Sequence, residues 1–508
     1  MTYLLGIDIG TSGTKTVLFD TYGNAVANAL EEYPMYQPHV GWAEQRPEDW
    51  WKATVNTIRE VISKSGIKSE KIKGVGLSGQ MHGLVLIDKG YNVLRPSIIW
   101  CDQRTGEECE QITQLVGKER LIEITANPAL TGFTASKVMW VKKHEPEIYE
   151  KTYKILLPKD YIRFMLTGEF ATEVSDASGT QFLNIAERNW SNEMLSKLDI
   201  DKSLLPKVYE SQEISGKISS YASKLTGLQQ GTPVVGGAGD QAAGAVGNGI
   251  VKTGVVSSTI GTSGVVFACT DKLTIDPQGR VHTFCHAVPN TWHVMGVTQG
   301  AGLSLRWMRD NFFMAEKEAA DLIEISPYFL MEQQAEKVKP GCDGLIYLPY
   351  LMGERTPHLD PEARGVFFGL SARHTRRDLL RAVMEGVSYS LTDCLEIIKS
   401  MGIEVNEVRA SGGGGKSKLW RQMQADMFNT DIVTINSSEG PALGVALLAG
   451  VGAGVYNSVQ EACEIAIKSV SIQKPIPENT SIYRKYYKVY RALYQSLKDQ
   501  FKAIANIH

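Results

Sequence analysis

The residues best suited to chemistry lie in the stretch from residue 5 to residue 15. An apolar strand carrying Asp8 runs into Gly-Thr-Ser-Gly at 10–13, and a second apolar strand follows, which predicts a β-hairpin. Glycine permits positive φ angles, and the exposed N–H groups and hydroxyls of such a turn can bind phosphate oxygens. A carboxylate beside phosphate requires a cation between them, so Asp8 indicates Mg²⁺. An ordinary hairpin turn explains this motif equally well.

The five letters Ile-Gly-Thr-Ser-Gly occur at 9–13 and again at 260–264. The offset is close to half of the chain, and each copy lies between apolar strands. Such a repeat predicts two related domains that face each other, with a nucleoside triphosphate held between the two turns. Thr259 stands where the first copy has Asp8. We therefore expect catalysis to depend on the first half alone.

Asp240 is the strongest candidate for a catalytic carboxylate. It follows a buried strand predicted at 233–236 and precedes a small-residue helix predicted at 242–246. Ligand crevices in open α/β sheets form at the carboxyl ends of strands. A general base here would accept the proton of an attacking hydroxyl and contribute about 10²- to 10⁴-fold in rate. A helix N-cap is an equally good explanation from spacing alone.

Two further segments have side chains that suit a small polyhydroxylated substrate. The sequence Ser-Gly-Gln-Met-His-Gly at 78–83 follows a predicted strand at 72–77, and the segment 96–105 is strand-to-loop and rich in polar residues. A single histidine is more often structural, and 100–104 is alternatively a surface turn. The candidates in these segments are Gln80, Met81, His82, Trp100 and Asp102.

The sequence Gly-Gly-Gly-Gly-Lys-Ser at 412–417 is similar to a phosphate-binding P-loop. That pattern requires glycine at position 410, where this chain has Ala410. Two better phosphate-binding turns are already present. We therefore expect the glycine run, between a strand at 408–411 and a helix at 419–428, to let a nucleotide base or ribose lie against the backbone.

Composition places the chain among large globular proteins. At 508 residues it is too long for one core, and its strand, glycine-turn and helix alternation predicts α/β domains at 1–250 and 251–508. A net charge of −3 without a long basic run disfavours nucleic acid as a partner. Seven scattered cysteines without Cys-x-x-Cys, and no signal peptide, favour a cytoplasmic, reducing location. The apolar run 440–456 predicts a buried helix rather than a membrane span.

Local patterns predict most of the remaining elements. Apolar spacing predicts helices at 48–65, 106–117, 118–125 and 134–144. Thr375 and Asp378 are typical of a capping box at the start of a long helix. The segment 172–179 is polar and is interpreted as a loop.

Together these residues resemble the FGGY carbohydrate kinases over nearly the whole chain. The similarity is carried by both Gly-Thr-Ser turns, by the stretch 132–144, by Gly-Ala-Gly-Asp at 237–240 and by the glycine run at 412–415. Within the family, the sequences at 79–83, 156–161 and 353–358 resemble members that act on xylulose. The resemblance implies two ribonuclease H-like domains, of the actin, Hsp70 and sugar kinase type, flanking a central cleft.

The resemblance also implies ATP-dependent phosphorylation of D-xylulose at O5, with Asp240 as proton acceptor. It implies that Met81 and His82 contact the sugar, that the amide of Gln241 donates to it, and that Asp8 and Asp240 hold Mg²⁺. The residues expected to bind ATP are Gly10, Thr11, Ser12, Thr14, Lys15, Gly261, Thr262, Ser263, Gly302, Gly413, Gly414 and Lys416.

Substrate choice stays open at this point. Gln241 stands where related kinases carry asparagine, and the extra methylene shifts its reach by about 1.5 Å. L-Ribulose, gluconate or another polyol is therefore an alternative substrate, and an ATPase of the same fold that acts on no sugar is a second alternative. We expect a small-molecule sugar and ATP as partners, neither nucleic acid nor a membrane, and a possible homodimer.

Overall fold

The computed structural model describes residues 2–507. The strands of the first half are β1 (Tyr3–Ile9), β2 (Gly13–Asp20), β3 (Ala25–Glu32), β4 (Glu44–Gln45), β5 (Ile72–Gly79), β6 (Val85–Ile87), β7 (Ser97–Ile98), β8 (Lys154–Leu156), β9 (Ala171–Glu173), β10 (Leu183–Asn184), β11 (Asn189–Trp190), β12 (Lys207–Tyr209), β13 (Ile214–Lys217), β14 (Pro233–Val235) and β15 (Ala238–Gly239). Those of the second half are β16 (Gly254–Ile260), β17 (Gly264–Thr270), β18 (His282–Cys285), β19 (Trp292–Thr298), β20 (Ile346–Leu348), β21 (Val366–Phe368), β22 (Val405–Ser411), β23 (Ile432–Ile435) and β24 (Ser469–Gln473).

Helices alternate with these strands along the whole chain. They are α1 (Pro47–Ser65), α2 (Gly106–Val116), α3 (Lys118–Thr125), α4 (Thr134–His144), α5 (Pro146–Lys151), α6 (Pro158–Thr167), α7 (Val174–Ala177), α8 (Asn192–Lys197), α9 (Ser220–Thr226), α10 (Asp240–Gly247), α11 (Ala301–Phe312), α12 (Met314–Leu322), α13 (Pro327–Ala335), α14 (Arg376–Ser400), α15 (Lys418–Phe428), α16 (Gly440–Gly452), α17 (Val459–Ala466) and α18 (Pro477–Ala505). Among the described residues, no helix has the length and apolar character needed to cross a membrane.

Two large mixed sheets share one core pattern. In the first, the order β3-β2-β1-β5-β14 has two antiparallel pairings followed by two parallel ones. In the second, β19-β17-β16-β22-β23 repeats that sequence of pairings. The hairpins β1–β2 and β16–β17 occupy equivalent places in the two sheets. The duplicated turn therefore marks a duplicated domain architecture, as the sequence repeat predicts.

Alternation along β1 decides what Asp8 faces. Leu5, Ile7 and Ile9 belong to the core that includes Trp50 and Ile58 of α1. Leu4 belongs instead to the core built with α16, and Gly6 lies against Ala442 of α16. Because side chains alternate between the two faces of a strand, Asp8 is on the α16 side, at the carboxyl end of β1.

Helix α16 packs closely between the first sheet and α10. A Cβ atom on Gly6 would lie 1.9 Å from the carbonyl oxygen of Ala442, and one on Gly76 of β5 would lie 1.9 Å from that of Val445. On its other side, a Cβ on Gly444 would lie 1.9 Å from the carbonyl oxygen of Ala243 in α10. Glycine permits these backbone approaches because it has no side chain. A helix from the second half thus packs on the first sheet, and the domain boundary near residue 250 stays a prediction.

The predicted elements differ from the structure in a few places. Helices α3 and α4 have the predicted bounds, and α2 ends one residue early. Helix α10 begins at Asp240 itself and not at residue 242, so Asp240 is the first helical residue and Gly239 is the N-cap. The segment 172–179 is not a polar loop: it forms β9, α7 and a short 3₁₀ turn and is fully buried. Its carboxylates Glu173 and Asp176 can be buried because Lys159 lies 3.4 and 3.2 Å from them.

Substituting Gly444 by alanine tests the close packing of α16 between the first sheet and α10. Alanine normally favours a helix interior over glycine by about 1 kcal/mol. Here the new Cβ would overlap the Ala243 carbonyl, and overpacking of this kind costs about 1–3 kcal/mol. We expect calorimetry to show a lower melting temperature for Gly444→Ala. The matched control is Gly106→Ala, at the first position of α2 with nothing within 4 Å, which we expect to melt like the native protein. Equal melting of both variants would contradict the account.

Candidate functional site

Asp240 lines a cleft between the two large sheets and is close enough to Asp8 to respond to its charge. Asp8 is the half-buried penultimate residue of β1, and its Oδ1 is buried without a hydrogen-bond partner. Burial raises the pKa of Asp8, and the nearby Ser78 hydroxyl and Lys15 ammonium oppose the rise. Burial, and then the negative charge of Asp8, raise the pKa of Asp240 to about 7. The two carboxyl groups therefore share one electrostatic environment, and Asp240 titrates in the range useful to a general base.

The buried side-chain amides of Gln45 and Gln80 support the first turn, residues 10–13. The Gly10 N–H donates to the Gly13 carbonyl (3.0 Å), and Gln45 Nε2 donates to the Thr11 carbonyl (2.7 Å). Gln80 is 1% exposed, and its Nε2 donates to Gln45 Oε1 (2.8 Å). Ser12 is exposed at the tip of the turn. The turn is thus fixed in position while its outer surface stays open to a ligand.

Two residues predicted to contact ATP in this hairpin differ in orientation. Thr14 is fully buried because it alternates with Lys15 along β2, so its side chain cannot reach a phosphate, which corrects the prediction for Thr14. Lys15 points the other way, lines the cleft and pairs with Glu439 at 2.6 Å, directly before α16. The ion pair joins the first hairpin to the helix from the second half.

The second turn has the same form without the carboxylate. Gly261, Thr262 and Ser263 are exposed, and the Gly302 N–H at the start of α11 donates to the Gly261 carbonyl (2.9 Å). At the position equivalent to Asp8, the Thr259 hydroxyl lies 2.6 Å from that of Ser411. The second turn therefore offers neutral donors only, as expected from the sequence.

Two adjoining cavities extend from Asp240 to the glycine run. The larger, about 820 Å³, is lined by Asp240, Gln241, Lys15 and the residues before α16. The smaller, about 540 Å³, lies beyond Gly413 and Lys416, which border both cavities. Of the residues predicted to bind ATP, Lys15 lines the larger cavity, and Gly261, Thr262 and Gly302 line the smaller one together with Gly414, while residues 10–12 line neither.

The wall of the smaller cavity is the part of the site that sequence reasoning missed. Its aromatic and polar residues come from α11, from the segment around α13 and from α15: Leu305, Arg306, Ser326, Tyr328, Phe329, Glu332 and Trp420. Their predominantly apolar surface suits a flat heterocycle beside the glycine backbone. Tyr328 and Phe329 are neighbours in α13 and Trp420 lies in α15, so no local spacing in the sequence connects them.

The turn after β5 carries Met81 and His82, and the Met81 side chain lies against Gly239, directly before Asp240. His82 has φ +70°, and its Nδ1 lies 2.9 Å from the Gly179 carbonyl. Burial, followed by the charge of Lys137, lowers the pKa of His82 to about 3, so the ring is neutral. Lys137 is itself buried and donates to the His82 carbonyl at 2.9 Å, which fixes the turn from behind.

Two predicted sugar contacts are corrected by burial. Gln80 is engaged with Gln45 and the first turn, so it supports the hairpin instead of facing a substrate. Asp102 is fully buried, accepts from the Ala43 N–H (2.6 Å) and pairs with Arg104 (2.7 Å). Its oxygens are committed to this structure. Trp100 is 44% exposed and donates from Nε1 to Thr11 Oγ1 at 2.9 Å, so it stays a candidate at the edge of the cleft.

Comparisons with known proteins agree with this geometry. Models of the FGGY family of carbohydrate kinases match residues 3–247 (N-terminal domain) and 256–453 (C-terminal domain). The chain is 40% identical over 499 residues to the xylulose kinase of Bacillus subtilis, covering 98% of each protein. It is 33% identical over 506 residues to the gluconokinase of that organism, covering 99% of this chain and 98% of the other. The solved structure of a ligand-bound xylulose kinase from Lactobacillus acidophilus is 28% identical, with a TM-score of 0.91 over 99% of this chain and 100% of that one.

A side chain at position 413 tests the assignment of the smaller cavity. The nearest atom to a Cβ on Gly413 is the Ile260 carbonyl oxygen at 3.9 Å, so a side chain has room but projects where the nucleotide would lie. We expect Gly413→Val to weaken ATP binding about tenfold or more in titration calorimetry, equivalent to about 1.4 kcal/mol. Its melting temperature should match that of the native protein. The control is Gly106→Val, at a position that lines neither cavity. Unchanged ATP affinity in Gly413→Val would place the nucleotide elsewhere.

Proposed function

Because the chain belongs to the FGGY family of carbohydrate kinases, we propose that it transfers the γ-phosphate of ATP to O5 of D-xylulose. The chain has the fold that sugar kinases share with actin and Hsp70. The observation that carries the proposal is Asp240, a carboxylate at the start of α10 that lines a cavity adjoining a second cavity of nucleotide size. Identity of 40% over nearly the full length to a protein named xylulose kinase supports the choice of sugar.

Asp240 acts as the general base in this proposal. Its carboxylate accepts the proton of the sugar hydroxyl as that oxygen attacks phosphorus. The raised pKa makes Asp240 a stronger base than an ordinary aspartate while leaving part of it ionised at neutral pH. Asp240 also begins α10, and the N-terminus of a helix stabilises a negative charge.

The two turns and the start of α16 position the phosphates. Thr11 and Ser12 of the first turn and Thr262 and Ser263 of the second carry the hydroxyls that donate to phosphate, while the N–H groups of Gly10 and Gly261 are bonded within their own turns. Gly440 and Pro441, at the N-terminus of α16, line the larger cavity, and Lys15 supplies a cation beside them. Phosphoryl transfer depends mainly on positioning and charge neutralisation, and these elements provide both.

Magnesium fits the residues present. Asp8 keeps a buried Oδ1 without a partner, which is suited to a cation. Within residues 2–507, no group of three or more His, Cys, Asp or Glu could hold a metal ion by itself. Mg²⁺ is commonly bound by one or two carboxylates together with substrate phosphates. Asp8 and Asp240 would hold such an ion, which when bound neutralises phosphate charge.

A second candidate substrate is gluconate. The 33% identity to a gluconokinase over nearly the full length favours it over the other polyols. The residues proposed for phosphoryl transfer would serve either sugar, since they contact only the reacting hydroxyl and the phosphates.

The seven cysteines are free thiols, which supports our proposal of a cytoplasmic location. Association into a homodimer stays a prediction.

A sugar panel with an Asp240 variant tests the proposal. ADP release would be measured with D-xylulose, L-ribulose, D-ribulose, gluconate, glycerol and erythritol. We expect the highest kcat/KM with D-xylulose and a kcat about 10²- to 10⁴-fold lower in Asp240→Asn, which lacks the base. The buried Asp102→Asn is unsuitable as a control, so the exposed Asp271→Asn is used. Preference for gluconate would keep the mechanism and change the substrate. ADP release that is independent of any sugar and unaffected by Asp240→Asn would refute the kinase proposal.

The pH dependence of kcat/KM for D-xylulose tests whether the charge of Asp8 raises the pKa of Asp240. Only ionised Asp240 can accept a proton, so activity should fall as the pH drops through about 7. Asp8→Asn removes the negative charge that raises the pKa of Asp240, so the acid limb of the residual activity should move to lower pH. The Asp271→Asn profile should overlay that of the native protein. An acid limb near pH 4 in the native protein, or one that does not move in Asp8→Asn, would contradict the assignment.

A further inference from the structure

Helix α7 packs beside β15, the short strand that leads into Asp240. All four residues of α7 are buried. The Ser175 hydroxyl of α7 accepts from the Gly239 N–H at 3.1 Å, and Gly239 immediately precedes Asp240. A buried serine is therefore bonded to the backbone from which the proposed base extends.

The orientation of the Ser175 hydroxyl is fixed by Glu173. The hydroxyl donates to Glu173 Oε1 (3.0 Å), and Glu173 Oε2 accepts from the Ser175 N–H (2.7 Å). Glu173 is in turn held by the Ser211 hydroxyl, which donates to its Oε2 at 2.9 Å. A serine hydroxyl has a single hydrogen, and here the Glu173 carboxylate takes it. The lone pairs of the Ser175 oxygen are therefore left to accept from the Gly239 N–H.

Glu173 belongs to a buried ion cluster whose members come from α6, β9 and α7. They are Lys159, Asp160, Arg163, Glu173 and Asp176. All five are fully buried, and Lys159 Nζ lies 2.8 Å from Asp160 Oδ1 and 3.4 Å from Glu173 Oε1. The cost of removing such charges from water offsets most of the attraction between them. The cluster is therefore better suited to orient its neighbours than to stabilise the fold.

This ion cluster holds both ends of the segment 236–239, which leads into Asp240. Arg163 donates to the carbonyl of the first residue of the segment, and Ser175 accepts from the N–H of the last. On its other side the segment pairs with the end of β5 through β15. The backbone before Asp240 is therefore fixed by buried bonds from two directions.

We propose that Ser175 is a positioning residue that fixes the Asp240 carboxylate through the Gly239 N–H. The inference rests on the proposed function, in which Asp240 is the general base. Gly239 is the N-cap of α10 and Asp240 is its first residue, so a shift at Gly239 moves the carboxylate relative to the sugar hydroxyl. A misplacement of about 1 Å can cost about 10²-fold in rate. Loss of the Ser175 hydroxyl should therefore lower kcat and leave substrate binding unchanged.

A double-mutant cycle of Ser175→Ala with Asp240→Asn tests whether the serine acts through the base. ADP release would be measured with saturating ATP and D-xylulose. We expect Ser175→Ala alone to lower kcat about 10- to 10²-fold, with the KM for D-xylulose and the Kd of ATP unchanged. In the Asp240→Asn background the same change should not lower the residual kcat further, because no base remains to be positioned. A serine with only a structural role would lower kcat by the same factor in both backgrounds.

The matched control is Ser178→Ala. Ser178 is also buried, and its hydroxyl likewise accepts from a backbone N–H, that of Cys285 at 3.0 Å. Cys285 belongs to β18 and not to the segment before Asp240. Because both substitutions leave a buried N–H without its acceptor, Ser178→Ala should melt at a similarly lowered temperature to Ser175→Ala while it keeps the native kcat.

Ser175→Cys guards against loss of folding in the alanine variant. Its thiol is close in size to the hydroxyl but is only a weak acceptor, so this variant should fold and show a kcat below the native value. A native kcat in both Ser175 variants, or an equal loss with and without Asp240→Asn, would overturn the inference while leaving the kinase proposal intact. A native protein whose ADP release does not depend on sugar, or Asp240→Asn with a native kcat, would instead refute the proposed function.

Discussion

The close packing of α16 between the first sheet and α10 is the constraint on which the site depends. Gly6 of β1 and Gly444 of α16 have no room for a Cβ, so the strand that carries Asp8 and the helix that begins at Asp240 are both packed closely against one element. Glu439, directly before α16, also holds Lys15 of the first hairpin. The two carboxylates and the nearby cation are therefore placed by backbone contacts that no side-chain rearrangement can relax.

The duplicated architecture is used asymmetrically. Both halves present a Gly-Thr-Ser turn at the same place in an equivalent sheet. Only the first half adds a carboxylate, while Thr259 of the second is hydrogen-bonded to Ser411 within its own sheet. In the proposed mechanism the first half therefore supplies both carboxylates, and the second supplies a turn without a carboxylate and the wall of the smaller cavity. A symmetric pair of carboxylates would place additional negative charge against the phosphates.

Local patterns in the sequence were sufficient for the hairpins, for α3 and α4 and for the α/β character, because periodicity and turn residues act over short distances. Burial was harder to predict because it depends on distant partners. The sequence predicts Gln80 as a sugar ligand, but the Gln80 amide donates to Gln45. It predicts Asp102 as another, but the Asp102 carboxylate accepts from the Ala43 N–H. The segment 172–179 looked like an exposed loop because its charges are neutralised by Lys159, which another helix supplies. No pattern in the sequence distinguished the aromatic residues of the smaller cavity from ordinary core residues, and α18 was not predicted.

The central claim is that Asp240 accepts the proton of O5 while the two turns hold the γ-phosphate that O5 attacks. A crystal structure with D-xylulose and a non-hydrolysable ATP analogue tests it most directly. The account predicts O5 within about 3.2 Å of an Asp240 carboxylate oxygen, with the γ-phosphate between residues 10–12 and 261–263 and the base beyond Gly413. A sugar whose O5 points away from Asp240, or a nucleotide bound outside the two adjoining cavities, would contradict it.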